Sequence, residues 1–309
     1  MAIDAHGASH PLTSTMVEAV TWPLTRYRIT QMADTPTQAE LWNGPAGHAW
    51  VTAQRILDEM FNGFATHLAQ TVPLNDNWRV LDVGCGTGDT TLTLARRLGP
   101  GGHAIGIDLS APMIEVARQR AANAGLPVEF IATDAGQPPL PAASIDHIVS
   151  RFGVMFFDNP VQAFTRLRDT TRQGGTLHAV VWRSAADNAF MTTAERAAAP
   201  LLPLPPRVPD GPGQFAFADP DKVRSILESA GWGEVEITPL DMPCVIARSD
   251  LRTYISLLGP VGTALRSETL DAAERERILD TLEAAFAPFG VGDRVHFTAA
   301  CWVIEGANP

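Results

Sequence analysis

The segment 82–88, with the sequence DVGCGTG, restricts the fold of this chain more than any other stretch. It follows a short apolar run at 79–83 and leads directly into a helical pattern at 90–98. Glycines let a backbone approach a ligand closely, and the free N–H groups at the start of a helix attract an anion. The segment therefore predicts a strand, a ligand-binding loop and a helix, which is the first unit of many nucleotide-binding α/β folds.

The alternation of strand and helix continues after this loop. Ser110 followed by Pro112, and Asn159 followed by Pro160 and Gln162, are typical helix starts. Strands are predicted at 104–108, 128–131, 145–150 and 176–182, and helices are predicted at 110–123 and 159–173. Because the connecting loops are short, the pattern predicts a parallel sheet with helices on both faces.

The pattern is looser after residue 183. One more helix begins at Asp219, and Gly231 ends it before a strand at 235–240. Two helical stretches and a last strand are predicted at 251–258, 270–286 and 297–304. The chain therefore has seven predicted strands, and the segments between the later ones are long enough to form a cap.

Composition excludes two classes of function. The formal net charge is −11, from 34 acidic and 23 basic residues, and no run rich in lysine and arginine is present. Phosphate-backbone binding therefore has no electrostatic basis, and no nucleic-acid partner is expected. The only lysine, Lys222, follows Asp221, so the Gly-Lys-Ser/Thr of a P-loop is absent. Hydrophobic residues make up 45% of the chain, which is enough for a sizeable core.

The cysteines and the first residues bear on the compartment. Cys85, Cys244 and Cys301 are far apart and form no CxxC pair, so neither a zinc site nor a disulfide framework is expected. No apolar run approaches the roughly 18 residues of a membrane span, and the first residues lack the basic start of a secretory signal. We expect a cytoplasmic location. Residues 1–31 show no clear periodicity, and we interpret them as an accessory extension or as sequence upstream of a start at Met32.

The spacing of the glycines distinguishes between ligands. A dinucleotide site has G-x-G-x-x-G, whereas this loop has G-x-G-x-G with Asp82 two positions before its first glycine. Asp108 ends the second predicted strand and Asp134 follows the third, so both are expected at the same edge of the sheet as the loop. A carboxylate accepts hydrogen bonds from two hydroxyl groups at once. A plain turn and a solvated strand end are the structural alternatives for the loop and for Asp134.

On these residues the chain resembles the class I S-adenosylmethionine-dependent methyltransferases, most closely their ubiquinone/menaquinone C-methyltransferase-like (type 11) branch. The resemblance covers 42–182 well and 215–304 loosely, and the family motif D-x-G-x-G-x-G is matched without departure. It implies S-adenosylmethionine as the cofactor, S-adenosylhomocysteine as the product and no metal. The cofactor site that it implies consists of Asp82, Gly84, Cys85, Gly86, Gly88, Asp108, Leu109, Met113, Asp134, Ala135, Arg151 and Phe152.

Each part of this site has a role in the family. The glycine loop holds the methionine part of the cofactor, and the position of Asp108 binds both ribose hydroxyls. Leu109 and Met113 stand where the family packs the adenine, and Asp134 with Ala135 stands where the family contacts the adenine amino group and a ring nitrogen.

The resemblance also implies a fold, namely an α/β, Rossmann-like, seven-stranded, mostly parallel sheet with helices on both faces and a helical cap. The predicted segments are an N-terminal extension at 1–40, a lid helix at 41–78, the cofactor-binding core at 79–183, a cap insertion at 184–218, a core helix and strand at 219–241, a helical cap insertion at 242–293 and the final core strand at 294–309. The helical pattern of the lid runs from Trp50 to Leu68, and Gly63 inside it predicts a bend.

The segment 150–157, SRFGVMFF, follows the fourth strand, where the family faces both cofactor and acceptor. We predict an acceptor pocket lined by Trp42, Met155, Phe156 and Trp182, with plain core packing as the alternative. The segment lacks the [ND]-P-P-[FY] motif of branches that methylate adenine or amide nitrogens, and the absence of a cysteine cluster argues against arsenite methylation. The apolar cap segments indicate a small hydrophobic acceptor; alternatively, they only cover the sheet or form a homodimer contact.

Methyl transfer from a sulfonium needs mainly an in-line nucleophile and the exclusion of water. A general base is required only if the acceptor holds its proton. His48, just before the first long helix, is the candidate base, and a surface or capping role is the alternative. Arg151 is a candidate to bind the methionine carboxylate or an acidic substrate, and an ion pair with a structural carboxylate is the alternative.

Two other functions stay open at this point. A nicotinamide-dependent dehydrogenase uses a related sheet, but the glycine spacing and the lack of an identifiable Tyr/Lys pair weigh against it. A protein that binds the cofactor without transferring its methyl group would have the same sequence pattern.

Overall fold

The structure, a computed structural model, describes residues 36–72, 77–206, 211–267 and 270–309. The predicted extension at 1–31 and the alternative start at Met32 lie outside these ranges. Within the described residues, no helix combines the length and the apolar character that a membrane crossing requires.

The sheet contains the seven predicted strands and, within the described residues, one short addition. The strands are β1 Arg79–Val83, β2 His103–Asp108, β3 Val128–Ala132, β4 Ile145–Arg151, β5 Thr171–Trp182, β6 Gly233–Ala247, β7 Gly290–Val291 and β8 Arg294–Ala307. Their order is β3-β2-β1-β4-β5-β8-β6, with β7 paired to β8. Strands β1 to β5 are parallel, and β8 is antiparallel to both β5 and β6. The α/β, Rossmann-like, mostly parallel sheet predicted from the sequence is therefore confirmed.

Strand β6 is longer than the sequence predicts. It continues beyond residue 240 to Ala247, and its last six residues pair with the start of β8, where Met242 faces Ala299 and Ala247 faces Arg294. Pro239 and Pro243 lie within this strand, which is possible because β6 is an edge strand, where a residue without an N–H is tolerated. The first helix after β6 begins at Arg248, three residues before the helical stretch predicted at 251–258.

Helices cover both faces of the sheet. They are α1 Gln38–Asn43, α2 Pro45–Thr52, α3 Gln54–Thr71, α4 Asp89–Ala95, α5 Ala111–Ala124, α6 Pro160–Thr170, α7 Ala189–Ala198, α8 Pro220–Ser229, α9 Arg248–Leu257, α10 Gly259–Leu265 and α11 Ala272–Ala284. The Asn159 side chain caps α6 by accepting from the N–H of Gln162, as the sequence predicts. Ser110 stands at the N-cap of α5 but makes no side-chain cap bond; its hydroxyl donates to the carbonyl of Trp42 instead.

The predicted single lid helix at 41–78 is three helices in the structure. Gly44 and Pro45 separate α1 from α2, and the chain leaves the helical conformation again at Ala53. Helix α3 buries one apolar face that includes Leu57, Phe61, Phe64 and Leu68. It is continuous through Gly63, where a Cβ atom would lie 2.8 Å from the Sδ atom of Met242, so this glycine admits close packing of α3 on β6.

The cap segments contribute mainly to the core. Leu202, Val261 and Leu265 are buried in the main hydrophobic cluster together with residues of the sheet. Leu201 is 43% exposed. The three buried side chains therefore belong to the main core, which favours the plainer of the alternatives that the sequence leaves open for these segments.

Candidate cofactor and acceptor site

The loop after β1 adopts a conformation that favours glycine. Gly84, Gly86 and Gly88 have φ angles of 69°, 56° and 87°. The N–H groups of Gly84 and Cys85 both donate to the carbonyl of Ile107, which anchors the loop on the end of β2. A Cβ atom on Gly84 would lie 2.5 Å from the Cα atom of Gly153, so the loop also touches the segment after β4. The loop is therefore held in place by the end of β2 and by the segment after β4.

The Asp108 carboxylate is bonded through both oxygens to backbone groups. Its Oδ2 atom accepts from the N–H of Gly86 at 2.8 Å, and its Oδ1 atom accepts from the N–H of Ser110 at 2.8 Å. Burial raises the pKa of this carboxyl group, and the two N–H bonds oppose that shift. Each carboxylate oxygen has a further lone pair, so Asp108 can still accept from a ribose diol.

Asp82 lies beneath the loop and has one unused oxygen. The side chain is 1% exposed, and its Oδ2 atom accepts from the hydroxyl of Thr91 at 2.6 Å. Its Oδ1 atom is buried and has no hydrogen-bond partner among the described residues. Burial raises the pKa of Asp82 to about 7. An orphaned buried acceptor next to a ligand-binding loop fits a cationic or N–H group of a ligand.

The residues predicted for the adenosine side lie around the ends of β2 and β3. Met113 is buried, and its Sδ atom lies 3.8 Å from the position that a Cβ atom on Gly86 would occupy. The N–H of Thr133 donates to the carbonyl of Asp108 at 2.8 Å, which brings the two strand ends together. Asp134 is exposed and accepts from the N–H of Gly136 at 2.8 Å, while Ala135 packs against the core. Asp134 is therefore held at the rim of the site.

The corner between α1 and α2 is docked on the loop that follows Asp108. The Asn43 side chain donates to the carbonyl of Leu109 at 3.0 Å and accepts from the N–H of Ala111 at 2.9 Å. The Ser110 hydroxyl donates to the carbonyl of Trp42 at 2.7 Å. Sequence reasoning missed the contribution of Asn43 and Ser110, because these bonds join residues more than sixty positions apart.

The structure divides the predicted acceptor-pocket residues into two groups. The Trp42 and Phe156 rings meet edge to face with centroids 5.2 Å apart. Met155 and Trp182 are buried in the main core, and Trp182 stacks on Phe152 with centroids 4.4 Å apart. Met155 and Trp182 therefore show the core packing that was the alternative, whereas Trp42 and Phe156 stand together at the lid.

Phe152 has a strained backbone. Its φ angle is +64°, in the left-handed region that non-glycine residues rarely adopt. The strain lies between Arg151 and Gly153, directly against the glycine loop at Gly84. Such conformations persist only where the surrounding structure imposes them, and they are frequent at functional sites.

The two candidate catalytic residues have other partners in this structure. The Nη1 atom of Arg151 lies 2.8 Å from the Oδ2 atom of Asp89, which is the ion pair given as the alternative. His48 is exposed on α2, and its Nδ1 atom lies 2.9 Å from the carbonyl oxygen of Gly44.

A cleft next to the glycine loop has a charged lining. Its volume is about 630 Å³, and it is bounded by Asp58, Glu59, Asn62, Asp89, Val245 and Arg294. Asp89 is the first residue of α4, immediately after Gly88. Local sequence patterns do not predict that α3 and the long β6–β8 pair meet at this point.

Comparisons with known proteins place the loop in a recognised domain. Residues 80–175 match a protein family described as a methyltransferase domain. The aklanonic acid methyltransferase DauC of Streptomyces sp. (strain C5) is 33% identical over 127 residues, which are 41% of this chain and 58% of that protein. A demethylmenaquinone methyltransferase of Listeria monocytogenes serotype 4a (strain HCC23) is 35% identical over 99 residues, which are 32% of this chain and 42% of that protein. The matched regions therefore span about half the length of these relatives.

A solved structure shares the fold. The YcgJ protein from Bacillus subtilis superposes with a TM-score of 0.53 and 18% identity, covering 80% of this chain and 98% of that chain. This likeness concerns the fold alone. The matched domain and the two relatives, which are methyltransferases, agree with the resemblance that the glycine motif indicates.

Proposed function

We propose that this chain, whose residues 80–175 form a methyltransferase domain of the class I S-adenosylmethionine-dependent family, transfers a methyl group to a small hydrophobic or aromatic acceptor. The observation that carries the proposal is the bond between the Gly86 N–H and Asp108, which sets a left-handed glycine loop against a buried strand-end carboxylate. The two relatives are named for small organic acceptors, aklanonic acid and demethylmenaquinone. A cytoplasmic location and a homodimer stay predictions from the sequence.

The chemistry of the site fits S-adenosylmethionine. The unpartnered Oδ1 atom of Asp82 suits the ammonium group of the methionine part. Asp108 suits the two ribose hydroxyls, and Met113 with Leu109 offers an apolar surface for the adenine. When bound, S-adenosylmethionine supplies an electrophilic methyl group on a sulfonium. The task left to the protein is to position the acceptor and to exclude water.

Asp89 argues against a dinucleotide at this loop. In a G-x-G-x-x-G loop the third glycine would fall at residue 89, where the pyrophosphate meets the helix start. Here Asp89 takes that position in the first turn of α4, and its carboxylate is paired with Arg151. The loop therefore lacks the third glycine that a nicotinamide dinucleotide requires at this contact.

The N-terminal helices supply the cover over the site. The corner of α1 and α2 is bonded to the loop after β2, and Trp42 on it faces Phe156 after β4. This arrangement excludes water from the adenosine side and presents aromatic surface to an acceptor. His48 stays the candidate base for an acceptor that retains its proton, because an Nδ1–H donated to the Gly44 carbonyl leaves the Nε2 atom able to accept that proton.

Titration calorimetry with S-adenosylhomocysteine tests the proposal. We expect micromolar binding to the unsubstituted chain and its loss in Asp108→Ala and Gly86→Val, because the first removes the ribose acceptor and the second cannot adopt the left-handed loop. A parallel titration with NADH should give no heat of binding. Binding of NADH without binding of S-adenosylhomocysteine would reject the proposal in favour of the dehydrogenase.

A further inference from the structure

Four charged side chains connect α3 to the glycine loop. Asp58 lies on α3, Asp89 starts α4, Arg120 lies on α5 and Arg151 ends β4. The Arg120 Nη2 atom lies 2.7 Å from Asp58 Oδ2 and 3.7 Å from Asp89 Oδ1, and Arg151 Nη1 lies 2.8 Å from Asp89 Oδ2. We refer to these four residues as the charge clamp.

Arg120 also reaches the loop itself. Its Nη1 atom donates to the carbonyl oxygen of Thr87 at 2.7 Å and to the hydroxyl of the same residue at 3.3 Å. Thr87 stands between Gly86 and Gly88, the two glycines whose left-handed backbone shapes the loop. The fixed fork of a guanidinium can hold both partners at once, whereas a lysine presents a single ammonium group. One side chain therefore contacts both α3 and the centre of the loop.

Burial makes these ion pairs stronger than ordinary surface pairs. The four side chains are between 13% and 25% exposed, so salt screens them less than exposed pairs. Burial raises the pKa of Asp58, the neighbouring Asp89 raises it further, and Arg120 lowers it. Without Arg120, the carboxylates of Asp58 and Asp89 would repel each other across the boundary between α3 and α4.

We propose that Arg120 is a positioning residue that couples the docking of α3 to the conformation of the cofactor loop, through Asp58 on one side and Thr87 on the other. The coupling rests on the proposed function, since the ligand of the loop is S-adenosylmethionine or its product. Coupling between two sites is reciprocal, so a ligand that orders the loop also holds α3 in place.

A double-mutant cycle on the full chain tests this coupling. Asp58→Asn and Arg120→Gln are each expected to weaken S-adenosylhomocysteine binding about tenfold, which is the usual loss for a hydrogen bond to a charged group. The affinity of the doubly substituted chain for S-adenosylhomocysteine should also fall about tenfold, because both substitutions break the same Asp58–Arg120 ion pair. A hundredfold loss in the double variant, or unchanged affinity in the single variants, would overturn the proposal. If Arg120→Gln does not fold, unchanged affinity of Asp58→Asn would overturn it alone.

The matched control is Arg55→Gln, on the same helix. Arg55 pairs with Asp250 at 2.6 Å and is 59% exposed, and none of its partners belongs to the glycine loop. We expect Arg55→Gln to bind S-adenosylhomocysteine with the same affinity as the unsubstituted chain. Hydrogen exchange with and without S-adenosylhomocysteine measures the coupling separately from overall stability. The ligand should slow the exchange of residues 54–71 in the unsubstituted chain and in Arg55→Gln. It should not slow their exchange in Asp58→Asn.

The outcomes separate the two proposals. If the unsubstituted chain does not bind S-adenosylhomocysteine, the proposed function fails, and the coupling fails with it. If the unsubstituted chain binds and Asp58→Asn shows both unchanged affinity and unchanged protection of residues 54–71, the coupling alone is overturned.

Discussion

The backbone N–H of Gly86 lies 2.8 Å from the Oδ2 atom of Asp108, so the carboxylate that ends β2 holds the loop that follows β1. The resemblance implies Asp108 as a ribose ligand only. The structure adds a second task, since the same carboxylate also fixes the N–H of Ser110 at the start of α5. Asp108 is therefore part of the loop's own architecture as well as a proposed ligand contact.

Replacement of Asp108 should affect binding and stability together. In Asp108→Ala the N–H groups of Gly86 and Ser110 lose their acceptor, which costs about 1–3 kcal/mol of folding free energy. The affinity for S-adenosylhomocysteine should fall about a hundredfold or more, because two charge-assisted bonds to the ribose are lost as well. Calorimetry and chemical denaturation measure the two effects.

Asp134 provides the comparison for this variant. It is exposed and bonds only locally, to the N–H of Gly136. Asp134→Asn should leave the folding free energy unchanged and lower affinity less than Asp108→Ala does. An equal loss of affinity in both variants would contradict the ranking of the two carboxylates.

Cofactor binding should release a proton near neutral pH through Asp82. Burial raises the pKa of this carboxyl group to about 7, so it is about half protonated at pH 7 without ligand. An ammonium group placed at its unpartnered Oδ1 atom would favour the carboxylate and lower the pKa. Affinity should therefore rise with pH up to about 7 and then level off.

Calorimetry of S-adenosylhomocysteine in two buffers of different ionisation enthalpy measures this proton. We expect release at about pH 6 and little release at about pH 8. Asp82→Asn should remove the buffer dependence. If Asp82→Asn releases as many protons as the unsubstituted chain, the proton comes from a group other than Asp82.

His147 should make the fold less stable in acid. Burial, with the neighbouring His178, lowers the pKa of His147 from 6.5 to about 3, so the folded state disfavours the imidazolium. The stabilisation from the neutral ring is complete above about pH 6.5 and is lost as the pH falls from there toward 3. The groups that face it are Thr176, Trp78 and His178; His178 is itself paired with Glu305 and lies near His67.

The test is the free energy of unfolding measured between about pH 7 and about pH 4 for three chains. His147→Phe should lose less stability over this range than the unsubstituted chain. His103→Phe, which changes a half-exposed histidine beside Glu129, is the control for introducing a phenylalanine elsewhere on the sheet. Identical pH dependence in His147→Phe would remove His147 as the cause.

Two tryptophans predicted for the acceptor pocket should behave differently. Trp182 is buried and stacked on Phe152, so Trp182→Ala should cost about 3–5 kcal/mol of folding free energy. Trp42 faces Phe156 at the lid, so Trp42→Ala should raise the KM for the acceptor while the affinity for S-adenosylhomocysteine changes less. Thermal unfolding and steady-state kinetics separate the two, and an unchanged acceptor KM in Trp42→Ala would place the acceptor elsewhere.

Local sequence signals were sufficient for the core of the fold. The glycines of the loop, the Asn159 cap and the Gly231 helix end each act within a few residues, and all three appear as expected. The seven strands follow from apolar runs bounded by such signals. The last part of β6 was missed because Pro243 reads as a strand end unless the strand is known to lie at an edge.

Contacts between residues that are far apart in the chain could not be predicted from the sequence. Arg120 and Asp58 are separated by 62 positions, and neither lies in a motif. Arg151 was placed near the site by its position after β4, but its partner Asp89 became evident only from the packing of α4. The left-handed conformation of Phe152 was not predicted, because the rings that it packs against, Phe61, Phe64 and Trp182, are distant in the sequence.

A crystal structure of the full chain with S-adenosylhomocysteine bound would locate the cofactor site directly. We predict the ribose hydroxyls within hydrogen-bond distance of Asp108, the ammonium group at Asp82 and the sulfur beside the loop at 84–88. Electron density for the ligand at any other place, or no binding at this loop in crystals soaked at saturating concentration, would contradict the proposed cofactor site.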